Sequence, residues 1–232
     1  MNKKLCMALL CLIVTAICYG QQPYFPKVNP ADNATGAKQI AALASQVIEK
    51  QHITGDIFRL QMAAGNYTGA ITGINTAREV AKKNGTPHPD LLFVQYELFC
   101  RAKIDQEKTG NSFYNAFTPH LERLFTGLSD KDAVYISSAF LTRRGLQELK
   151  DNYHNALTRA LAKDSISVPD AAALCSAYNI MHVFENIEPL AIKLLRADDN
   201  RRYIMDDSVM IHTSEGATLS AVIVRKRGVT AP

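Results

Sequence analysis

Through most of the chain apolar residues return every three or four positions, the spacing of one face of an α-helix. The stretch "NATGAKQIAALASQVIEKQ", opening at Asn33 or Thr35, puts Ile40, Leu43, Val47 and Ile48 on one side. A second helix is predicted over roughly residues 54–64 and a third from Tyr67 to Lys83, where Asn84-Gly85 and Pro87 give a stop signal. "PDLLFVQYELFCRAKI" is apolar around most of its circumference and reads as a buried helix. In the next segment Phe113, Phe117, Leu121 and Phe125 recur every four residues. Ser129-Asp130-Lys131-Asp132 reads as a cap before "AVYISSAFL", a run that also admits a strand. Leu146, Leu149, Tyr153, Leu157 and Leu161 form a long stripe with charges opposite. Ser167-Val168-Pro169-Asp170 opens another helix with proline in its first turn, and a separate last helix is predicted around "EPLAIKLLRAD", ending in the polar "DDNRR".

Every such stripe has to be buried, and short connections make successive helices antiparallel neighbours. Residues 33–202 are therefore expected to form a helical domain, either a right-handed stack of helical hairpins or an irregular bundle. At residue 203 the period changes from 3.6 to 2. "DDSVMIHTSEGATLSAVIV" alternates around a Ser214-Glu215-Gly216 turn and predicts a β-hairpin. The fold class is mainly α, antiparallel helical hairpins followed by a C-terminal β-hairpin.

One helical hairpin has a sharper signature. Gly65-x-Tyr67-x-x-Ala70-Ile71-x-x-Ile74-x-x-Ala77 resembles the turn and second helix of a tetratricopeptide repeat (TPR), although a 34-residue period is not sustained. Gly65, Gly69 and Gly73, spaced by four, suggest close backbone contact between helices.

The first twenty residues change the picture of the whole. Lys3 and Lys4, an apolar stretch from Leu5 to Ile17, and Cys18 and Gly20 before Gln21 have the layout of a cleaved signal peptide. A retained membrane helix is the rival reading, and the missing polar flank on its far side favours cleavage near Gly20. The residues before Cys11 and Cys18 do not fit a lipid-anchored cysteine. The mature chain is thus expected to be exported, periplasmic or secreted, without a stable membrane span. Residues 21–32, with three prolines, read as an extended leader.

The full chain of 232 residues has a net charge of +4, and loss of the two signal-peptide lysines leaves +2, which gives no reason to expect a nucleic-acid partner. Cys6, Cys11 and Cys18 leave with the signal. Cys100 and Cys175 remain on apolar helix faces, where buried free thiols are favoured over a disulfide.

Candidate chemistry is sparse. His52, His88, His120, His154, His182 and His212 lack metal-ligand spacing, and there is no CxxC pair, phosphate loop or GxGxxG fingerprint. No Gly-x-Ser-x-Gly elbow presents a serine nucleophile. Asp198-Asp199 read as solvated residues after the last turn of a helix, and Asp206-Asp207 as solvated residues ahead of a strand. Arg225-Lys226-Arg227 read as a charged strand end. Asn33-Ala34-Thr35 and Asn66-Tyr67-Thr68 match a glycosylation acceptor that three residues match by chance. The residues assign no catalytic, cofactor-binding or metal site and no cofactor.

The tail adds a resemblance. Val209, Ile211, Thr213, Gly216, Leu219, Ala221 and Arg225, with Glu215 at a position usually held by Asp, resemble the opening strands of the CocE/NonD hydrolases, a branch of the X-Pro dipeptidyl-peptidase (peptidase S15) family. The resemblance implies that residues 203–232 are the first strands of an α/β-hydrolase domain whose serine, acid and histidine lie downstream of this hairpin. The chain would then be the N-terminal helical region of an exported serine hydrolase acting on ester or peptide bonds, without its catalytic triad. Its partner would be the rest of that hydrolase domain in the same longer chain. The other reading is a periplasmic TPR-like scaffold that binds a protein or peptide.

Overall fold

The computed structural model describes residues 24–26, 33–50, 57–142 and 145–228, with side chains from Gly36 onward. The expected signal peptide, its three cysteines and His52 lie outside the described residues. Among the described residues there are eight α-helices: α1 (Asn33–Lys50), α2 (Ile57–Ala63), α3 (Tyr67–Lys83), α4 (Val94–Thr109), α5 (Phe113–Gly127), α6 (Asp130–Ser137), α7 (Leu146–Leu161) and α8 (Val168–Arg202). Four strands accompany them: β1 (Tyr24–Pro26), β2 (Ser165–Ser167), β3 (Tyr203–His212) and β4 (Thr218–Lys226). None of the described helices is long and apolar enough to cross a membrane.

The mainly helical body with a C-terminal β-hairpin is the expected fold class. Its caps explain where helices begin. Asn66 opens α3 by accepting from the Gly69 N–H, and Ser112, Ser129 and Ser167 do the same for α5, α6 and α8. "AVYISSAFL" is helical, as α6 and a short 3₁₀ turn over Ser138–Phe140, because Ser129 caps it and Ala133, Ile136 and Phe140 reach the core.

One expectation is corrected. The segment predicted as two helices is one, α8, which runs 35 residues straight through Pro189. Pro189 removes one hydrogen bond, but Val183, Phe184, Ile187 and Ala191 are buried on both sides of it, and their packing holds the helix together. The described part of the leader, Tyr24–Pro26, is an extended strand that pairs antiparallel with Ser165–Ser167. A three-residue strand is too short to show alternation.

The helical body holds two apolar cores. Ile40, Leu43 and Val47 of α1, Leu60, Ala156 and Ala160, and Ile166, Leu174 and Cys175 make one. Phe58, Ile74, Phe99, Phe117, Phe140, Val183 and Ile187 lie in the other. α2 sends Leu60 and Ala63 into the first and Phe58 and Met62 into the second, and α8 serves the first with its N-terminal half and the second with the rest. These two helices form the spine. The stripe foreseen on α7 is only half-buried at its leucines, and its alanines, Ala156 and Ala160, are what α8 covers, allowing close approach.

Of the three spaced glycines, Gly73 alone lies in a helix-helix seam, where an added Cβ would sit 3.2 Å from Phe58 Cβ. Gly69 faces its own cap residue Asn66, and Gly65 (φ +79°) ends α2 with open space around it.

Candidate functional site

The most connected polar cluster joins the helical body to the hairpin. Arg202, the last residue of α8, is buried, and its guanidinium uses all three nitrogens. Nε donates to Asp198 Oδ2 (2.7 Å), Nη1 to Asp130 Oδ1 (2.8 Å) and to the Leu128 carbonyl (3.1 Å), and Nη2 to the Phe125 carbonyl. A cation therefore sits on the open carbonyls at the C-terminus of α5, where the helix dipole favours it, and on a carboxylate in the first turn of α6. Asp130 takes a second cation from the hairpin, Lys226 Nζ at 2.6 Å. Hydrogen bonds from Lys226 and Arg202 hold its carboxyl below the usual aspartate range. The backbone adds Arg227 N–H to the Arg202 carbonyl (2.9 Å), and Arg227 Nε donates to the Asn200 carbonyl (2.6 Å).

This cluster overturns one reading. Asp198 is not a solvated residue after the helix: it lies inside α8, is 9 % exposed in its side chain, and pairs with both Arg201 and Arg202. The i, i+3 and i, i+4 spacing was visible in the sequence. What was not visible is Asp130, seventy-two residues away from Arg202 in the chain. Asp206 and Asp207 likewise lie within β3 rather than ahead of it, at a bulge where the register shifts between Asp206 and Val209. Lys226 is a latch to the helical body as well as a charged strand end.

Beyond the latch, β3 and β4 form an antiparallel sheet that has two strands among the described residues, turned at Gly216 (φ +83°). Cross-strand partners show what each face carries. Ile204, Val209, Ile211, Leu219, Ala221 and Ile223 share one face, and Met205, Met210 and Val224 lie on the other. Ile204, Met205, Met210, Ile211, Leu219, Val222, Ile223 and Val224 are all between 39 and 63 % exposed. Scattered surface apolar residues are ordinary, but a contiguous patch on both sides of a hairpin is not.

The histidines are dispersed. His88, in the left-handed region (φ 49°), stacks on Tyr135 at 4.4 Å and meets Asp132 at 3.0 Å. His120 pairs with Asp105 at 2.8 Å, and His182 stacks on Tyr178, where burial lowers its pKa. His154 is exposed. His212 meets the Thr218 hydroxyl at 3.0 Å on the exposed hairpin. Among the described residues no group of three or more His, Cys, Asp or Glu could hold a metal ion.

Two surface clefts adjoin these pairs. One, of about 390 Å³, lies between Leu91–Phe93 and Tyr135–Leu141 over Phe184, with Gln95, Tyr135 and Ser138 among its mainly apolar lining. The other, of about 310 Å³, is lined by Glu97, Arg101, His120 and Arg123. Burial pushes the Glu97 carboxyl up, but Arg78 at 2.5 Å and Arg101 at 2.7 Å outweigh it and hold the group ionised. That carboxylate is neutralised on two sides and is a poor general base. Cys100 and Cys175 are free and buried, and Asn66 serves as a helix cap. The side chains of Asn33 and Thr35 lie outside the described residues.

No family of known proteins, no curated protein and no solved structure matches the chain.

Proposed function

We propose that this chain is a non-catalytic helical module whose hairpin is completed by a sheet outside the residues described. The observation that carries the reading is the exposed apolar surface on both faces of β3 and β4. A sheet with one wet face alternates apolar and polar residues, whereas strands apolar on both faces belong to sheets covered on both sides. The resemblance to CocE/NonD and S15-like enzymes gives that sheet an identity. It would be the catalytic sheet of an exported serine hydrolase acting on ester or peptide bonds, with this chain as its N-terminal helical region and the triad elsewhere. The latch at Arg202 and Asp130 then fixes the angle at which helices meet sheet.

A second reading is favoured by the closure of the helical body over two cores of its own. A body whose two cores draw no residue from the hairpin can serve as a periplasmic scaffold and lend the hairpin to a protein partner's sheet.

The experiment is an immunoblot of the endogenous product with an antibody against α3–α5, joined to fluorophosphonate labelling. A band much heavier than the 25.6 kDa of this chain, labelled by the probe, supports the hydrolase. An unlabelled band at or below that mass supports the scaffold. Labelling of the purified 232-residue chain at one serine, with ester turnover, overturns both.

A further inference from the structure

We infer that β4, and not β3, is the edge at which the hairpin takes its next strand, and that the occupant is an extended, β-branched strand carrying a carboxylate opposite Arg225. The inference rests on the reading that a further sheet completes the hairpin, and it adds the side and the chemistry.

The two edges differ. On β3 the residues Asp207 and Ser208 stand opposite the single residue Val222, which bends the strand and interrupts a regular ladder. The Ser208 N–H is occupied by Asp206 Oδ1 at 3.3 Å, and Asp206 and Asp207 put two negative charges at the bulge. Bulges and charges are how edges are closed against pairing.

β4 has neither device between Thr218 and Val224. Its hydrogen bonds at both ends fix which backbone groups are free. The Thr213 N–H donates to the Ala217 carbonyl at one end, and the Arg227 N–H to the Arg202 carbonyl at the other. Backbone direction alternates along a strand, so on each side of the bulge odd-numbered residues turn to β3. Thr218, Ser220, Val224 and Lys226 turn their N–H and C=O groups outward, where no strand is paired among the described residues. An added strand finds a regular ladder there, with Leu219, Ala221 and Ile223 beneath its side chains on one face and Val222 and Val224 on the other. At the end nearest the helices the charge is basic. Lys226 is held by Asp130 and Arg227 by the Asn200 carbonyl, while Arg225 is exposed on the strand. An acidic residue directly across from Arg225 makes a favourable cross-strand pair, and a lysine there a repulsive one.

The test uses the full 232-residue chain and a fluorescein-labelled peptide, Glu-Val-Thr-Val-Thr-Val-Thr-Val-Glu, which offers a carboxylate to Arg225 in either direction. Fluorescence anisotropy is expected to show saturable binding, at least fivefold weaker for the same peptide with lysine at both ends. Ser220→Pro and Val224→Pro remove one outward N–H each at edge positions that tolerate proline, and each is expected to weaken binding at least tenfold with unchanged helical circular dichroism. Ser208→Pro, on the β3 edge, is expected to change it less than twofold. No saturable binding, equal binding after both β4 prolines, or loss through Ser208→Pro overturns the assignment of the edge. Equal affinity for the two peptides overturns the assignment of the carboxylate. A chain that binds through β4 yet occurs at its own mass keeps this inference and removes the hydrolase reading. A heavy, probe-labelled endogenous product whose β4 ignores the peptide does the reverse.

Discussion

Arg202 and Asp130 are separated by 72 residues of chain and by 2.8 Å in space. The contact fastens the end of the longest helix to the start of α6, and through Lys226 to the last residue of β4. Arg202 is buried to within 6 % of its side chain and Asp198 to within 9 %, so neither charge has water to fall back on. A buried pair adds little over an apolar replacement of both partners. Without Arg202, Asp198 would keep Arg201 and Asp130 would keep Lys226, so what loses its donor is the Leu128 carbonyl and, in part, the Phe125 carbonyl.

Replacement of Arg202 by Met is therefore expected to cost about 1–3 kcal/mol of unfolding free energy, the usual cost of leaving buried polar groups without their partner. The measurement is urea denaturation followed by circular dichroism. Asp198→Asn added to Arg202→Met should recover little of the loss, because Arg201 still neutralises Asp198 in the single variant. If the single variant unfolds at the wild-type midpoint, the latch does not hold the body together.

The pH dependence has a definite sign. His182 is buried against Tyr178 and Phe99, and burial lowers its pKa. The unfolded chain then binds this proton more readily than the folded one, so stability is present above the ordinary histidine value of about 6.5 and falls as pH drops through it. Glu97 and Asp130 have folded values below those of the unfolded chain. Their contribution is present above the ordinary carboxylate range and is lost as pH falls toward the folded values. Thermal melts from pH 8 to pH 3 should show two successive losses. His182→Phe, which keeps a ring against Tyr178, should remove the first and leave the second. A profile flat between pH 7 and 5 in the wild-type chain would contradict the assignment to His182.

How legible all this was depends on whether the cause was local. Ser112, Ser129 and Ser167 act within one turn of themselves, and the helices they start could be read from the chain. Phe117, Leu121 and Phe125 fall on one face because a helix repeats, and they are buried as their spacing required. The split into two helices failed, because the contacts that carry α8 through Pro189 come from elsewhere in the chain. The latch had the same difficulty: Asp198 and Arg202 are four apart, but the α5 carbonyls and Asp130 that make their burial tolerable come from a distant segment. The hairpin was legible as two strands and a glycine turn. Its bulge, which separates one edge from the other, depends on pairing register and not on residue pattern.

Gly73→Ala tests the tightest seam in the helical body. An added methyl would stand 3.2 Å from Phe58 Cβ and 3.1 Å from Gln61 Oε1, so α2 and α3 would have to move apart. Alanine favours a helix interior over glycine by about 1 kcal/mol, while forcing extra volume into a packed contact costs about 1–3 kcal/mol. The seam should win, giving a net loss measurable in urea. A rise in stability would mean that the helices are not closed on Gly73.

Cys100 and Cys175 report separately on the two cores, because Cys100 packs in the one built on α3–α6 and Cys175 in the one built on α1 and α7. Burial pushes each thiol up to about 12, with the Glu97 charge a further contribution at Cys100. Thiolate is the reactive form, so both should resist a disulfide reagent at pH 8 in the native chain and both should react at once in guanidinium. The latch touches α5, α6 and the end of α8, all elements of the second core. Arg202→Met should therefore speed the labelling of Cys100 more than that of Cys175, as read by mass spectrometry of the labelled peptides. Equal acceleration at both sites would mean that the two cores open as one unit, with α2 and α8 transmitting the loss from one to the other.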